Sequence, residues 1–429
     1  MTGTTAAPKS RSAAFSVLHV PDFRWLWTAQ TISTVGDQVF PIAATVTVLN
    51  GGGSAADLGL VLGARWLAIV LFSLIGGVWA DRLPRRLVMM SADLFRAAII
   101  GCLALLTFTP PVWALALLVF LVGSGEAFFR PAETALLPSL LPAARLNSAN
   151  ALISVSYRTA AVVGPGIGAI LVAGLHHVSW AYAVNSVTFL LSFVCLLRVR
   201  EPRRTHSPVQ TSFLAEMADG LREVRRQPWV MGTLIAAALL LMAVIAPENV
   251  LLPIIGRRQF GSDAVYALSL AMFSVGGVAG ALVAIKWRPR HPGKTAWLLG
   301  LGFILIPLTL MFSTSAWPIL MAYCIAGAAW EPFAVWWTSA LQRGIPADKL
   351  ARVSSVDWMA SFGLMPLGLA MTGPIVALVG ERAVLTGTIV VLLLITVVVL
   401  RVPGAKDLAL PRSGPRPETL PEQLIVTTT

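Results

Sequence analysis

The chain has 429 residues, of which 56% are hydrophobic and only 12% are charged, and its formal net charge is +12. A soluble domain carries about a quarter of its residues as charged groups, so this composition excludes an ordinary soluble domain. The apolar residues form runs of roughly 20, which is the length that crosses a hydrocarbon core. The basic residues are scattered over short loops and form no stripe, which argues against a nucleic-acid partner.

In chain order, a polar segment comes first, residues 1–22, and it lacks the small-residue cleavage site of a signal peptide. Twelve apolar segments follow, and each must satisfy its backbone polar groups inside lipid, so we predict helices rather than strands. The predicted fold class is an all-α integral membrane protein with twelve transmembrane helices in two pseudo-symmetric six-helix bundles. The predicted spans are 25–49, 57–79, 87–108, 112–130, 148–174, 178–197, 229–252, 263–285, 295–313, 317–340, 351–378 and 383–400.

The predicted domain boundaries follow from these spans. An N-terminal bundle covers residues 23–197, and a C-terminal bundle covers 229–401. Between them, the linker 198–228 carries apolar residues at helical spacing, which predicts an amphipathic helix. The tail 402–429 is rich in proline and polar residues, which favours disorder. Basic residues concentrate in the two ends of the chain, the linker and alternate loops, so both termini and the linker are expected in the cytoplasm.

The two halves of the sequence match at one constant offset. Gly76, Gly123 and Gly164 align with Gly280, Gly327 and Gly368 when the chain is shifted by 204 residues. One offset serves separate regions without a gap, which indicates an internal repeat. Parallel repeats of six spans, with a site between them near the midplane, describe one transporter architecture.

The turn between spans 2 and 3 carries a signature. It reads Gly-Val-Trp-Ala-Asp-Arg-Leu-Pro-Arg-Arg over residues 77–86 and resembles the loop signature of the major facilitator superfamily, Gly-x-Leu-Ala-Asp-Arg-x-Gly-Arg-Lys/Arg. Trp79 and Pro84 depart from that pattern. The resemblance covers residues 20–400 and implies alternating access, with the acid of the turn holding an inner gate. The matching residues are Gly77, Ala80, Asp81, Arg82, Arg85 and Arg86.

Two other stretches narrow the resemblance. Residues 130–138 with 146–151, and 33–38 in span 1, are similar to the subgroup of macrolide-efflux and siderophore exporters, enterobactin exporters included. Gly164-Pro165-Gly166-Ile167-Gly168 resembles the antiporter motif of drug–proton exchangers, although Ala169 replaces its last glycine. Gly164, Pro165 and Gly168 are therefore expected at a close helix contact.

Placing an ionisable group inside a bilayer costs free energy, so each such group is expected to have a charged partner, to contact water or to serve the function. Asp37 lies about 18 Å into span 1 by helical rise, where a carboxyl group could bind and release a proton or pair with a cation such as Arg158. Arg158 needs a carboxylate or an anionic ligand. Glu126 is a candidate cavity residue, and Glu248 is interpreted as a charge at the membrane rim.

A second group of charges is assigned to a cytoplasmic gate. Asp93 and Arg96 share one helical face and are expected to face Asp81 and Arg82. Arg130 belongs to a similar set with Glu126 and Glu133 in span 4. The competing interpretation is that the basic residues of the turn only fix the orientation of the protein in the membrane. That role would not require the acid of the turn.

Interior tryptophans offer surfaces for stacking on a large amphipathic substrate, with ordinary packing as the alternative. The candidates are Trp330 and Trp336 in span 10 and Trp358 in span 11. No sequence feature supports an ATP site or a metal site, so no cofactor is expected, and the chain is not expected to be an enzyme.

These features predict a secondary active exporter of small amphipathic molecules (drug-, antibiotic- or siderophore-like), driven by protons and using rocker-switch alternating access. Its expected partners are the substrate, protons and membrane lipids, and the expected state is a monomer in the cell membrane. Two alternatives stay open. One is a lipid or lysolipid translocator on the same fold, and the other is a non-transporting receptor or scaffold.

Overall fold

The computed structural model describes residues 16–106, 108–174, 177–202 and 213–409, but without the side chains of 74–82, 143–144, 147, 173–174, 213–216, 347–348 and 351. Within these limits the chain is all-helical and has twelve helices long and apolar enough to cross a membrane. The first half contains α1 (Pro21–Asn50), α2 (Ala55–Arg82), α3 (Arg85–Leu105), α4 (Val112–Leu140), α5 (Ala143–Ala169) and α6 (Val178–Leu196). The second contains α7 (Pro228–Phe260), α8 (Ala264–Lys286), α9 (Pro292–Phe312), α10 (Ala316–Gly344), α11 (Ala347–Gly363 with Met365–Val379) and α12 (Glu381–Val399).

Several spans are interrupted. A π-helical turn at Leu241–Ile245 divides α7, and another, Ile170–Gly174, follows α5. A 3₁₀ turn at Leu301–Ile304 divides α9, and α11 is interrupted at Leu364. Such irregular backbone is tolerated in a membrane bundle where neighbouring helices surround it.

Equivalent helices of the two halves pack in the same way. Gly123 on α4 lies against α2, where an added Cβ would be 2.6 Å from the carbonyl oxygen of Arg65. Its repeat partner Gly327 on α10 lies against α8, where a Cβ would be 1.9 Å from the carbonyl oxygen of Phe273. The repeated glycines therefore permit the same close helix crossing in each half.

The two halves meet along α2 with α11 and along α5 with α8. We call the end of the bundle that bears the linker and both described chain ends the linker end, and the other the opposite end. At the opposite end the halves are tightly apposed. A Cβ on Gly59 would lie 2.2 Å from the carbonyl oxygen of Leu369, and one on Gly373 would lie 2.1 Å from the Cα of Ala56.

The segment between the halves contains one helix, Phe213–Arg226, here called the linker helix. Its apolar residues Leu221 and Val224 join a cluster with Val353 and Val356 of α11. Lys349 of α11 donates a hydrogen bond to Glu223 at 2.8 Å, and this bond lowers the pKa of the Glu223 carboxyl. The amphipathic helix predicted in the linker thus covers the start of α11.

Candidate functional site

A cavity of 390 Å³ lies between the two halves at mid-height. Its wall includes Asp37, which lies 16 residues from the start of α1, and hence about 24 Å from the linker end. The cavity therefore brings together side chains from both halves of the repeat. Its charged lining residues are Asp37, Arg130, Arg158 and Glu331.

Asp37 is held by an arginine of α3. Arg96 approaches it at 3.2 Å and donates a second hydrogen bond to Asp93 at 2.6 Å. Ser192 of α6 donates to the other oxygen of Asp93 at 2.6 Å. The Arg96 guanidinium lies over the ring of Phe189, with a distance of 4.1 Å to the centroid. One buried cation therefore serves two buried carboxylates.

The sequence interpretation placed Asp93 and Arg96 beside Asp81 and Arg82 at the gate. In the structure both Asp93 and Arg96 are fully buried, and the ion pairs of Arg96 are with Asp37 and Asp93. These contacts correct that expected placement, because the face of α3 that carries them turns toward α1 and α6. Rotation of a helix about its axis is not encoded in the spacing of two charges.

A second charge cluster joins α2 to α4. Glu126 accepts hydrogen bonds from Arg65 at 2.8 Å and from Arg130 at 2.9 Å, one arginine to each carboxylate oxygen. The Glu126 side chain is only 6% exposed, whereas Arg130 is 52% exposed toward the cavity side. Glu126 is thus shielded by two arginines, and Arg130 presents the charge of this cluster to the cavity.

Arg158 forms an ion pair between the two halves. Its guanidinium lies 2.7 Å from the carboxylate of Glu331 on α10. Asp37, the partner suggested by the sequence, lines the same cavity but is bound to Arg96 instead. The sequence alone does not identify Glu331 as the partner of Arg158, since nothing in the chain links positions 173 residues apart.

Two further acids are buried. Glu133 accepts a hydrogen bond from the Tyr157 hydroxyl at 3.2 Å. Glu248 was interpreted as a rim charge, but that placement is wrong, because its exposure is only 3%. The cause is the length of α7, which continues to Phe260, beyond the predicted end at residue 252. Glu248 therefore lies about 18 Å from the end of the helix.

The three candidate tryptophans have different surroundings. Trp330 packs on Phe303 and Phe333 inside the second half, with centroid distances of 6.0 and 6.2 Å. Trp336 is 8% exposed and packs against Trp287 at 5.7 Å. These two side chains are accounted for by packing inside one half, rather than by the cavity between the halves.

Trp358 instead faces a second cavity, of 550 Å³, toward the linker end between α2, α4, α11 and the linker helix. Met217 and Met359 line the same space with Trp358. Methionine side chains are flexible and polarizable, so they adapt to ligands of varied shape. One turn beyond Trp358 on α11, Phe362 stacks on Trp66 of the other half at a centroid distance of 5.3 Å.

The turn between α2 and α3 is held by hydrogen bonds at the linker end. The backbone N–H groups of Arg85 and Arg86 donate to the carboxylate of Glu201, at 3.1 and 3.0 Å. The Arg86 side chain donates to the carbonyl oxygens of Leu196 and Leu197, at the end of α6, where cations are favoured by the helix dipole. The side chains of Asp81 and Arg82 and the surroundings of Gly77 lie outside what the structure describes.

The glycines of α5 bring it against α1. An added Cβ on Gly164 would lie 2.4 Å from the Cβ of Gln38, and one on Gly168 would lie 2.7 Å from the Cδ1 of Ile42. Pro165 lies between them inside α5. Because Gln38 is next to Asp37, this contact positions α5, and with it Arg158, beside the acid of α1.

In the described residues, a twelve-helix bundle with two equivalent halves around a charged cavity is the architecture that the major facilitator resemblance predicts. The profile of the family described as transmembrane secretion effector matches residues 12–425. The chain belongs to this family.

Curated relatives are similar over nearly their whole length. The multidrug efflux pump Tap of Mycolicibacterium fortuitum is 28% identical, and the match covers 87% of this chain and 94% of that protein. Macrolide efflux protein A of Streptococcus pyogenes is 25% identical over 86% of this chain and 93% of its own length.

Solved structures share the fold at low sequence identity. The nucleoside transporter NupG has a TM-score of 0.69 at 12% identity, covering 88% of this chain and 98% of its own. A bacterial homologue of the human lysosomal transporter Spinster, in an inward-facing and unoccupied conformation, has a TM-score of 0.67 at 17% identity, covering 91% of this chain and 97% of its own.

Proposed function

We propose that the protein exports small amphipathic molecules, such as drugs, antibiotics or siderophore-like compounds, in exchange for protons. The observation that carries the proposal is a charged cavity between two equivalent halves, with the halves tightly apposed at the opposite end. The relatives named as multidrug and macrolide efflux proteins support the direction and the substrate class.

The positions of the cavities support an exporter in a state that can bind substrate from the linker end. Spaces of 390 and 550 Å³ lie at mid-height and toward the linker end. These volumes are typical of sites for small organic ligands. The excess of basic residues at the linker end predicts that this end is cytoplasmic, so the proposed substrate would enter from the cytoplasm.

Alternating access follows from the asymmetry between the two ends. Rocking one half against the other would separate the contacts of Gly59 and Gly373 and close the space around Trp358. The fastened turn at Arg85 and Arg86 would move as a rigid part of the first half. We propose that Asp81 and Arg82 of this turn form the inner gate with charges of neighbouring helices.

Asp37 is our candidate for proton coupling. It lines the cavity, its side chain is 17% exposed, and its contact with Arg96 at 3.2 Å is longer than the contact between Arg96 and Asp93 at 2.6 Å. Protonation of Asp37 would leave Arg96 with Asp93 as a partner, so neither state strands the buried cation. The acid can therefore change its charge at a lower cost than Asp93 or Glu126.

The test is substrate efflux from energised cells or vesicles. Asp37→Asn should abolish uphill efflux of a fluorescent dye while the protein remains in the membrane, and an uncoupler should have the same effect on the wild type. Asp57→Asn, at the exposed start of α2, is the matched control and should export normally. Unchanged uphill efflux by Asp37→Asn would rule out the assignment of Asp37.

One observation favours a second candidate, a lipid translocator. An apolar groove of 550 Å³ lies between α3 and α4, lined by Leu87, Phe95 and Phe128 among others. Movement of labelled lysolipid by the purified protein in vesicles, without movement of any dye, would favour this candidate. A scaffold without transport activity would move neither probe.

A further inference from the structure

The ion pair between Arg158 and Glu331 differs from the other buried charges of the site. It joins the two halves at 2.7 Å, and both side chains remain partly accessible, with exposures of 43% and 22%. Both residues also line the cavity of 390 Å³ between the halves, here called the central cavity. A ligand in that cavity can therefore reach either member of the pair.

The neighbouring charges are less free to exchange partners. Arg96 is shared by Asp37 and Asp93, and Glu126 is enclosed by two arginines. Withdrawing Arg96 would leave two buried acids without their shared cation, which is strongly unfavourable, and Glu126 is only 6% exposed to a ligand. Among the described residues that line the central cavity, the pair of Arg158 and Glu331 is the one that a charged ligand can open at least cost.

We propose that Glu331 binds a cationic group of the substrate, which displaces Arg158. This inference rests on the proposed export function and assigns the chemical class of its substrate. A ligand amine or other cation would take the place of the guanidinium at the Glu331 carboxylate. Glu331 supplies the second half's charged contribution to the cavity, opposite the acid of α1.

The asymmetry of the pair favours a cation over an anion. If an anion captured Arg158, Glu331 would lose its described cationic partner, and it is the less exposed member of the pair. If a cation captures Glu331, Arg158 is the more exposed member and still lines a cavity that contains Asp37. The displaced arginine thus has a second carboxylate to approach, Asp37, whose contact with Arg96 is 3.2 Å long. The other cation that lines this cavity, Arg130, is held more closely by Glu126 at 2.9 Å.

The change of partner by Arg158, from Glu331 to Asp37, would couple substrate binding to the protonation of Asp37. A guanidinium near a carboxyl group favours the ionised form, so Arg158 released toward Asp37 would expel a proton from it into the cavity water. Conversely, a neutral Asp37 offers Arg158 no charge, and the pair with Glu331 stays closed. Binding of cation and proton is then mutually unfavourable, as linkage requires in both directions. The other charged groups that act on Asp37 are Arg96, Glu126, Arg65 and Arg130.

The test compares two probes on the purified protein in detergent. Tetraphenylphosphonium carries a permanent positive charge, and Nile red is neutral. In Glu331→Gln, tetraphenylphosphonium should bind on the order of tenfold or more weakly, as expected for loss of one charged contact, while Nile red should change less than about twofold. Glu381→Gln removes the same charge from a pair with Arg258 outside the cavity, and this control should bind both probes like the wild type.

A second variant tests the displaced arginine. Arg158→Gln should still bind tetraphenylphosphonium, because Glu331 is then free, but it should no longer release a proton on binding. Proton release is measured with a pH indicator in weak buffer, where the wild type should acidify the solution. This readout separates the proposed exchange from a purely structural role of the pair.

The proposal is overturned if Glu331→Gln binds tetraphenylphosphonium as tightly as the wild type, if both probes weaken alike, or if the wild type does not bind the cation. It is also overturned if Arg158→Gln releases protons like the wild type. Failure of the export function would appear differently, as absence of uncoupler-sensitive efflux for every dye in cells, whatever the binding result.

Discussion

At the scale of single residues, one buried cation, Arg96, holds two acids of the site. Arg96 is fully buried, contacts Asp37 and Asp93, and stacks against Phe129 and Phe189. A guanidinium is suited to this position because it cannot lose its charge and its planar group fits between two aromatic rings. The arrangement ties α3 to α1 and places Asp37 at the cavity wall.

We therefore expect Arg96→Gln to destabilise the protein strongly. The change leaves two buried carboxyl groups without their shared cation, a type of loss that costs roughly 3–5 kcal/mol. Thermal unfolding of the purified protein in detergent measures the effect. Arg222→Gln, whose side chain is 66% exposed in a pair with Asp219, is the control and should cost about 1 kcal/mol or less. Equal stability losses in both variants would contradict the role given to Arg96.

The same residues show the limits of prediction from sequence. That Asp37, Arg96 and Arg158 lie inside apolar spans can be read directly, because hydropathy is a local property of the chain. Which acid meets which cation depends on how each helix is rotated about its axis. Sequence reasoning offered Arg158 as a possible partner of Asp37, but the structure gives Arg96 to Asp37 and Glu331 to Arg158.

At the scale of helices, small residues set where the two halves can close. The contacts of Gly59 with Leu369 and of Gly373 with Ala56 bring the backbones of α2 and α11 together near the opposite end. A side chain at these positions has no free space to occupy. The spans were predictable from apolar length, whereas this contact depends on the fold of both halves.

Gly59→Ala should weaken the closure at the opposite end, because the new Cβ would lie 2.2 Å from a backbone carbonyl oxygen. In a variant without the native cysteines, Gln38→Cys reports on the central cavity. We expect Gly59→Ala to raise its labelling by an impermeant maleimide added from the opposite side. Gly387→Ala, with no atom within 4 Å of the added Cβ, should leave labelling unchanged. Equal labelling in all variants would show that this contact does not close the cavity.

The linker helix should respond to acid. Because the hydrogen bond from Lys349 lowers the pKa of Glu223 from its ordinary value of 4.5, it stabilises the docked helix above that pH. This stabilisation is lost as the pH falls through the lowered pKa of the docked state. Hydrogen exchange over residues 217–226 should therefore accelerate below pH 4 relative to pH 7, after correction for the intrinsic rate.

Lys349→Gln is the informative variant for this helix. It should exchange faster at pH 7 and show a smaller additional change on acidification, because the bond that titrates has been removed. If the variant kept the full response to acid, the pH dependence would have to come from another group. Arg222→Gln, on the exposed face of the same helix, should keep the wild-type response.

At the scale of the whole molecule, the two ends of the bundle are unlike although the two halves are alike. Close backbone contacts occur at the opposite end, and the cavities lie at mid-height and toward the linker end. The repeat in the sequence predicts the equivalence of the halves but not this difference, since one chain must fold into both states of a transport cycle. Only the energy balance between two sets of contacts between the halves selects the state observed.

Fixing the halves together at the opposite end should therefore stop transport without stopping binding. Arg257 of α7 donates a hydrogen bond to Asn50 of α1 at 2.9 Å, so cysteines at these two positions can be joined by a short bifunctional thiol reagent in a variant lacking Cys102, Cys195 and Cys324. Joined protein should bind a dye from the linker end but lose dye export, because the contact at the opposite end can no longer open.

The control for this experiment lies at the same end of the molecule but within one half. Arg258 and Glu381 form an ion pair at 2.6 Å between α7 and α12, and cysteines at these positions joined by the same reagent should leave export intact. Export that continues in the molecules joined at positions 50 and 257 would mean that the halves do not separate there during transport. Loss of export in both joined proteins would point to rigidity within a half, instead of rocking between halves, as the motion that transport needs.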